Sequence, residues 1–326
     1  MTRFLSPFAE RMQAFLDLKR ALGRRYLAAE RELLRFDRHV ARLPGPPQAM
    51  TRELVHGWLA SKPHVRSTTQ RWRACVLRQF CLYLVRLDPR TYVPGRALFP
   101  AGIPVFRARI YSDEELRRLL RAVPEVVPDR PALHRETIRT ALLALCATGL
   151  RAGELARLGV ADVDLAARTF LVRDTKFFKS RLVPFSASLA DRLAQYFAAR
   201  AAPPDPKAPF FVDRGGRPLS TQKISHVFHR LVLAASIPAR SGGRGPRLHD
   251  MRHTFAVRRV LAWYREGADV TAKLPLLATY MGHASVLSTH VYLTATADLM
   301  REASGRFERA YGSLVAAQEE IPHETR

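Results

Sequence analysis

The chain has 326 residues, and its 53 Lys and Arg against 29 Asp and Glu give a formal net charge of +24. This length predicts two domains of ordinary size, and the hydrophobic content of 47% is sufficient for a core in each. The charge argues against neutral or cationic partners and favours a polyanion, because a protein that neutralises phosphates releases their condensed counterions.

The basic excess consists almost entirely of arginine, which supplies 46 of the 53 positive side chains. A GC-rich genome explains arginine in place of lysine, but it does not explain the excess of basic over acidic residues. The composition therefore predicts a protein that binds nucleic acid.

Three cysteines, Cys75, Cys81 and Cys146, show no paired spacing, which indicates buried free thiols in a reducing compartment. No apolar stretch approaches the roughly 18 residues that a membrane-spanning helix needs, and the first residues lack the apolar core of a signal peptide. These features predict a cytoplasmic protein that, in a cell without a nucleus, has direct access to DNA.

The first hundred residues carry the periodicity of helices. Apolar side chains recur every three or four positions over residues 8–42, which predicts one long helix that ends at the Pro-Gly segment 43–47. Thr51 is the predicted N-cap of a short helix, and residues 67–86 form another helical run. Residues 1–100 are therefore predicted to be a small all-α domain.

Positive charge is concentrated in this domain, since residues 1–110 contain 21 basic and 7 acidic side chains. Arginines alternate with aromatic residues along the predicted helix 67–86, an arrangement that suits phosphate contacts. A solvated helix face is the alternative, but the density of charge over the whole domain favours DNA. The predicted DNA-binding residues are Arg66, Arg71, Arg73 and Arg78.

A segment rich in Pro and Gly precedes the second domain, and residues 101–110 are predicted to be a linker. Ser112 begins a helix with a capping box, and two short apolar runs on either side of a tight turn predict a hairpin. The predicted strands are 169–172 and 181–185, and the predicted helices are 132–158, 188–200, 220–236, 248–264, 271–281 and 285–293. Residues 111–326 are thus predicted to form a mostly helical domain with a small antiparallel sheet.

The segment around Arg151 places a glycine on each side of an arginine, at a break between predicted helices. Glu154 follows three residues later, where its carboxylate can orient the guanidinium. The Gly-x-Arg-x-Gly pattern alone is equally typical of a helix C-cap followed by a surface arginine.

Two of the seven lysines, Lys176 and Lys179, lie in the predicted hairpin turn of a chain that otherwise prefers arginine. A lysine whose pKa is lowered can give up its proton near neutrality, whereas arginine cannot, so lysine can serve as a general acid. Lys176 is the candidate acid and Lys179 the alternative, against the simpler interpretation of a solvated hairpin tip.

His249 and Arg252 are three positions apart on a predicted helix, so they share one face, where an arginine can hold phosphate oxygens bidentately. His249 and His253 also match part of the zinc-protease pattern His-Glu-x-x-His. Asp250 replaces the glutamate, however, and no further carboxylates follow at the usual spacing. A metal site is therefore not expected.

Gly282 ends a predicted helix, His283 follows, and Ser285 caps the next helix, on which Tyr292 lies nine residues after His283. A phenol has a pKa near 10, so a nucleophilic tyrosine needs nearby cations to stabilise the phenolate. Taken alone, Tyr292 is more typical of a half-buried packing residue.

Together these motifs closely resemble, in order and spacing, those of the tyrosine recombinase (phage integrase) family. The matching segments are Gly-Leu-Arg-x-Gly-Glu at 149–154, Arg-x-Val-Pro at 181–184, the His-x-x-Arg motif at 248–255, Met-Gly-His at 281–283, and the tyrosine at 292. Met251 replaces the family's usual leucine, and the hairpin turn lacks the frequent Gly-Lys-Gly. The resemblance covers residues 106–310.

The resemblance implies a mainly α fold with a SAM-like core-binding domain and the catalytic fold of the family. It implies a site-specific DNA recombinase or integrase that forms a 3′-phosphotyrosyl intermediate, used by a mobile genetic element in integration, excision or transposition. The implied roles are Tyr292 as nucleophile, Arg151, Arg252 and His283 as transition-state stabilisers, His249 as base and Lys176 as acid.

No metal or cofactor is implied. The implied partner is duplex DNA with specific recombination sites, bound by a homotetramer in which residues 296–318 dock into a neighbour. Partner recombinases could join this assembly, and no membrane is involved. Two alternatives remain: a topoisomerase that relaxes DNA by the same chemistry, and a DNA-binding regulator without catalysis, which is disfavoured because every catalytic position is filled.

Overall fold

The computed structural model describes residues 4–24, 26–61, 64–95, 108–127, 132–173, 180–200, 205–239 and 245–283, together with 285, 289, 301–302, 304–305 and 307–309. The described residues up to Gly95 and those from Ala108 onwards form two compact units. The predicted linker 101–110 lies outside the described residues except for its last three positions.

The first unit is built from helices. They are α1 (Ala9–Ala21), α2 (Leu27–Val40), α3 (Arg52–Ala60) and α4 (Ser67–Leu84). Thr51 caps α3 as predicted, because its hydroxyl accepts a hydrogen bond from the amide of Leu54 at 3.2 Å. Aromatic rings from different helices meet in the core, where Phe15 lies 5.5 Å from Phe80.

The prediction of one long helix over residues 8–42 is wrong, since α1 ends at Ala21 and α2 begins at Leu27. Gly23 adopts a φ of +77°, in the left-handed region that glycine enters without steric cost, and this conformation ends a helix. The ring of Tyr26 then packs edge-on against Phe15 at 5.8 Å. The chain therefore gains a tertiary contact between the two helices that a continuous helix would not allow.

Arg73 on α4 is buried, with 3% of its surface exposed. Its Nε donates to Glu32 at 2.8 Å, its Nη2 donates to the carbonyl of Trp58 at 3.1 Å, and its guanidinium lies 4.4 Å from the centre of the Trp58 ring. These contacts belong to the core of the unit, where a buried cation needs a partner. The prediction of Arg73 as a DNA contact is therefore wrong.

The second unit contains α-helices and a small sheet. The helices are α5 (Asp113–Arg121), α6 (Val123–Val126), α7 (Ala132–Thr148), α8 (Ala152–Leu155), α9 (Ala187–Ala198), α10 (Thr221–Ala234), α11 (Asp250–Arg265) and α12 (Val270–Met281). The capping box at Ser112 is present, with the side chains and amides of Ser112 and Glu115 bonded reciprocally. The mainly helical prediction is confirmed.

The sheet is antiparallel in the order β1 (Val163–Asp164), β2 (Thr169–Val172) and β3 (Arg181–Pro184). The predicted hairpin is formed by β2 and β3, in which Val172 pairs with Arg181. Phe170 and Val183, which pair across the hairpin, are fully buried and join the sheet to the core of the unit. β1 has only two residues, too few for an alternating pattern, and the sequence did not predict it.

Cys75, Cys81 and Cys146 are free cysteines, as predicted, but the predicted burial holds only for Cys81, since Cys75 is exposed and Cys146 is half-buried. In the part of the chain that the structure describes, no helix combines the length and apolar character required to cross a bilayer.

Candidate active site

A glycine turn between α7 and α8 positions Arg151. Gly149 has a φ of +62°, and a β-carbon built on it would lie 2.5 Å from Cδ1 of Phe255. Both the backbone conformation and the close approach of this ring exclude a side chain at the position. The turn places Arg151 directly before α8, with its side chain 38% exposed.

Glu154 orients the Arg151 guanidinium, as the sequence suggested. Nη1 of Arg151 donates to Oε1 of Glu154 at 2.7 Å, and the Arg151 amide donates to Oε2 at 3.0 Å. Burial alone would raise the pKa of Glu154, but the hydrogen bonds and charges of Arg181 and Arg151 lower it to about 2. Glu154 is therefore a carboxylate at neutral pH, and it holds Arg151 in one orientation.

Arg252, in the first turn of α11, is 2% exposed. Its Nη1 donates to the carbonyl of Gly149 at 2.8 Å, and its Nη2 donates to the carbonyl of Met281. Nη2 also lies 3.1 Å from Nε2 of His283. The two carbonyls fix the direction of the guanidinium and carry no net charge of their own.

The C-terminus of α12 delivers His283. Gly282 has a φ of +65°, its amide bonds to the carbonyl of Thr279 at 3.0 Å, and the His283 amide bonds to Ala278 at 2.9 Å. These are the two hydrogen bonds of a Schellman motif, which ends a helix at a left-handed glycine. The sequence prediction that Gly282 ends the helix is confirmed.

The hydrogen bonds of His283 define its tautomer. If Nε2 accepts from Arg252, the proton lies on Nδ1, which is 2.8 Å from Oγ1 of Thr289 and can donate to it. Burial and the charges of Arg252 and Arg151 lower the pKa of His283 to about 4. The imidazole is thus neutral at pH 7, and it must be protonated or change tautomer before Nε2 can donate to a bound anion.

His249 immediately precedes α11 and has an exposed side chain. Partial desolvation lowers the pKa of His249, and the positive charges of Arg252 and Arg247 lower it further. A neutral, exposed imidazole can accept a proton, which suits the predicted base. Its ring lies 5.1 Å from that of His253, but within the described ranges no three His, Cys, Asp or Glu side chains form a metal-binding group.

These histidines predict a dependence of stability on pH. Burial, together with neighbouring positive charge, lowers the pKa of both His253 and His283 to about 4, while unfolded histidine titrates near 6.5. Between these values the unfolded chain binds more protons than the folded protein. The contribution of these histidines to the free energy of unfolding is therefore fully present above pH 6.5 and is lost as the pH is lowered. We expect a loss of about 2 kcal/mol between pH 7.5 and 5.5.

Thermal unfolding followed by circular dichroism would measure this change as a fall of several degrees in Tm. A His283→Gln variant should show a shallower dependence, because one of the titrating groups is gone. A Tm that stays constant or rises as the pH falls from 7.5 to 5.5 would contradict the assignment of half-buried, neutral histidines.

Three predicted residues lie outside the described residues: Lys176, its alternative Lys179, and Tyr292. The same holds for most of the predicted helix 285–293 and of the docking segment 296–318. Their roles stay predictions.

The structure brings Arg151, Arg252 and His283 together around the end of α12. Arg252 contacts the carbonyl of Met281 and the ring of His283, and Nη2 of Arg151 donates to the carbonyl of Gly282 at 3.3 Å. Two fixed guanidinium groups beside an imidazole can hold the oxygens of a phosphate and stabilise added negative charge on them. The geometry therefore suits chemistry on a phosphodiester.

Sequence reasoning missed Arg181 as a member of this cluster. Its Nη2 donates to Glu154 at 2.8 Å and its Nε donates to the carbonyl of Tyr280 at 2.8 Å. The only signal in the sequence was its place at the start of the Arg-x-Val-Pro strand, and the alternation of that strand does not indicate a partner.

Residues 110–298 match the family model of the phage integrase family. The integrase/recombinase y4rB of Sinorhizobium fredii is 36% identical to this chain over 318 residues, which cover 94% of this chain and 99% of y4rB. The tyrosine recombinase XerA of Thermococcus kodakarensis is 30% identical over 209 residues, 63% of this chain and 65% of XerA.

Solved structures share the fold. The Tn1549 transposon integrase in complex with transposon right-end DNA has a TM-score of 0.63 and 18% identity, covering 91% of this chain and 99% of that one. XerH bound to a palindromic difH substrate has a TM-score of 0.60 and 18% identity, covering 87% and 78%. With the family model matched over more than half of its length and y4rB similar over nearly all of it, the chain belongs to the phage integrase family of tyrosine recombinases.

Proposed function

We propose that this protein is a site-specific DNA recombinase that cleaves and rejoins DNA strands through a 3′-phosphotyrosyl intermediate. The observation that carries the proposal is the convergence of Arg151, Arg252 and His283 around the end of α12. Family membership supports it, since the motifs that hold these residues are those matched by the family model.

The cleavage step assigns a role to each residue. The phenol oxygen of Tyr292 attacks the phosphorus and its proton passes to His249. The bond from phosphorus to the 5′ oxygen breaks, and Lys176 protonates the departing oxygen. Arg151 and Arg252 stabilise the charge that the pentavalent transition state places on the non-bridging oxygens.

The phosphotyrosyl bond keeps the energy of the broken phosphodiester. A 5′ hydroxyl from the same or another strand can therefore attack it and restore the DNA backbone without ATP. The fixed guanidinium groups supply positive charge that metal ions supply in many other nucleases.

Bound phosphate changes the state of His283. Its pKa is lowered to about 4 by burial and by the charges of Arg252 and Arg151, and a phosphodiester monoanion or its more negative transition state between these groups offsets those charges. We infer that substrate binding raises the pKa of His283, so that Nε2 carries a proton and donates to a phosphate oxygen.

The test is covalent capture of DNA. The full chain is incubated with a pool of duplexes whose central sequence is randomised, and complexes that survive SDS are recovered and sequenced. We expect a defined sequence, with protein joined to the 3′ phosphate end at the break and a free 5′ hydroxyl on the other fragment. Absence of SDS-stable complexes, or attachment at a 5′ end, would overturn the proposal.

A topoisomerase would give the same adducts, so a second assay separates the two functions. Two copies of the recovered sequence are placed on one supercoiled plasmid. Recombination excises or inverts the segment between the copies, whereas relaxation alone changes only the linking number. We expect the rearranged product.

We infer further that the first unit binds DNA backbone through Arg66 and Arg71. Both side chains are exposed at the start of α4, whereas Arg78 is half-buried and donates to the carbonyl of Pro94. Exposed arginines at one end of a helix can each neutralise a phosphate, and each such contact contributes to the dependence of affinity on salt.

The double variant Arg66→Ala/Arg71→Ala is expected to weaken binding to the recovered duplex and to lower the slope of log Kd against log salt by about 2. Fluorescence anisotropy at several salt concentrations measures this slope. The control Arg117→Ala/Arg121→Ala removes two exposed arginines of α5 that pair with Glu114, and it should leave the slope unchanged. Equal slopes for all three proteins would contradict the assignment.

Arg73→Met should behave differently, because it leaves the buried Glu32 with only the exposed Arg35 as a described ion-pair partner. We expect a loss of about 3 kcal/mol of stability rather than a change in salt dependence.

A strand exchange between two duplexes requires four protomers, so we propose a tetramer on DNA, with partner recombinases as an alternative composition. Such an enzyme works where its DNA lies, which in a cell without a nucleus is the cytoplasm.

A further inference from the structure

Tyr111 lies two residues before α5, and no motif in the sequence assigns it a role. The residue is 1% exposed. Its hydroxyl donates to the carbonyl of Arg247 at 3.0 Å, just before α11, and its amide donates to Oγ1 of Thr254 within α11 at 3.0 Å. A third bond, from Arg258 to the Tyr111 carbonyl, lies further along α11. The two groups that Tyr111 donates therefore reach α11 on either side of its first turn.

Arg247 and Asp250 close the turn that carries His249. The Arg247 amide donates to Oδ2 of Asp250 at 3.0 Å, and the Asp250 amide donates back to the Arg247 carbonyl at 3.0 Å. Nη2 of Arg247 adds a bond of 2.8 Å to Oδ1. Asp250 is 2% exposed, so the turn is anchored from inside the unit. The Tyr111 hydroxyl binds the same carbonyl as the Asp250 amide, which places it at the point where the turn closes.

The position of His249 depends on this turn, because the His249 side chain is exposed. An exposed ring projects from wherever its backbone is held. The described ring contact of His249 is with His253, edge-on at 5.1 Å. Displacement of a catalytic group by about 1 Å can slow a reaction about 100-fold. A contact that fixes the backbone of residues 247–250 can therefore act on the base without touching the substrate.

A buried tyrosine hydroxyl needs an acceptor, so one bond to a carbonyl does not by itself indicate a role. Two features go beyond that need. The Arg247 carbonyl already has the Asp250 amide as its donor. Thr254, which accepts from the Tyr111 amide, donates its own hydroxyl to the Asp250 carbonyl at 2.9 Å. Both bonds that Tyr111 donates thus lead to Asp250, the residue next to His249.

We propose that Tyr111 is a positioning residue for the general base: it binds the start of the 247–250 turn directly and its end through Thr254, and so keeps His249 in one place. The inference rests on the proposed recombinase function, in which His249 accepts the proton of the nucleophile. It predicts that loss of the Tyr111 hydroxyl impairs removal of this proton and leaves phosphate binding intact.

Neither Tyr111 nor His249 changes its protonation between about pH 7 and about pH 9.5. Partial desolvation lowers the pKa of His249 from its usual value near 6.5, so the imidazole is neutral throughout. Burial raises the pKa of Tyr111, and the charge of Asp250 raises it further, so the hydroxyl remains a donor. The ionisable side chains that act on the His249 ring are those of Arg252, Arg247, Asp250, Arg151 and His253.

The pH dependence of adduct formation tests the proposal. Near pH 7 a phenol with a pKa of about 10 is almost entirely protonated and needs a base, whereas near pH 9.5 roughly a quarter of it is already phenolate. A defect in the base should therefore shrink as the pH rises, while a loss of folded protein or of phosphate binding should not.

Tyr111→Phe removes the hydroxyl and keeps the ring. With the recovered duplex, single-turnover adduct formation by Tyr111→Phe is expected to be about tenfold slower than by the unaltered protein near pH 7, and within about twofold of it near pH 9.5. The ratio of the two rates at one pH removes the titration of groups that both proteins share, such as the leaving-group acid.

Tyr196→Phe is the matched control, because Tyr196 is also 1% exposed and its hydroxyl donates to the carbonyl of Phe210 at 3.2 Å. This variant loses a buried hydroxyl of the same kind, and its rate should stay near that of the unaltered protein at both pH values. His249→Gln should show a deficit of about 100-fold near pH 7 that also shrinks as the pH rises. Tyr111→Phe should add nothing to it, because both substitutions act on one step.

Three results would overturn the inference: a Tyr111→Phe deficit that is the same at both pH values, one no larger than that of Tyr196→Phe, or one that adds in full to that of His249→Gln. The proposed function fails separately, if the unaltered protein forms no adduct, and the inference then fails with it.

Discussion

Tyr292→Phe is expected to abolish SDS-stable protein–DNA complexes and to leave the affinity for DNA within about twofold. The substitution removes the phenol oxygen that would form the bond to phosphorus and keeps the aromatic ring. Adduct formation is measured on denaturing gels with the recovered duplex, and affinity by fluorescence anisotropy.

Tyr280 provides the matched control, because it is the described tyrosine next to the cluster. Its hydroxyl donates to the carbonyl of Pro184 at 3.2 Å and its ring stacks on Phe255 at 5.4 Å. Burial raises the pKa of Tyr280 to about 12, so its phenolate is scarce at neutral pH. Tyr280→Phe should keep its adducts. Adducts that persist in Tyr292→Phe and disappear in Tyr280→Phe would reassign the nucleophile.

The sequence predicts elements best where one local pattern decides them. The Ser112 capping box and the Thr51 cap use neighbouring residues, and both occur as expected. The 8–42 helix was wrong because apolar spacing continues across residues 22–26, while Gly23 and the contact between Phe15 and Tyr26 break the helix. A tertiary contact outweighed the local pattern there.

Arg73 shows why contacts distant in the sequence escape such reasoning. The helical periodicity of the sequence does not distinguish Arg73 from the other arginines on α4. Its burial depends on Glu32, 41 positions away, and on Trp58, 15 positions away. A cation at this point of the helix is favourable only because those partners are present, and no periodicity contains that information.

The candidate site shows the same difference between contacts within one motif and contacts between distant parts of the sequence. Residues within one motif were predicted together with their mutual geometry, as with Arg151 and Glu154, which bond over three positions. The bonds that assemble the motifs span larger separations, 103 positions between Arg252 and Gly149 and 99 between Arg181 and Tyr280. Resemblance to the family identified the motifs as one site, but only the fold reveals that backbone carbonyls and Arg181 hold them in place.

Arg252→Met is expected to slow adduct formation by about 1,000-fold while the protein remains folded. The guanidinium is 2% exposed and fixed by the carbonyls of Gly149 and Met281, so under the proposed mechanism it is oriented before the phosphate oxygens gain charge. Removal of one such fixed donor costs about 100- to 1,000-fold in rate, and a buried cation is at the upper end of that range. Single-turnover rates with the recovered duplex measure the effect.

Stability must be separated from catalysis in this experiment, because methionine leaves the two carbonyls without their donor. Each unsatisfied group costs about 1 to 3 kcal/mol, which thermal unfolding reports as a fall in Tm. Arg252→Lys keeps the positive charge but cannot reach both carbonyls and the phosphate together, so we expect a rate between those of Arg252→Met and the unaltered protein.

Arg258→Met, two turns further along α11, serves as the control for the loss of a cation from this helix. Arg258 donates to the carbonyl of Tyr111 at 3.0 Å and pairs with Asp113, so it has a structural partner and no contact with the cluster among its described hydrogen bonds. The rate of adduct formation by Arg258→Met should stay within about threefold of that of the unaltered protein. This change is much smaller than the loss of about 100- to 1,000-fold expected when a fixed transition-state donor is removed. If Arg252→Met and Arg258→Met lose activity equally, in proportion to their loss of folded protein, Arg252 is a structural residue and the phosphate must be held elsewhere.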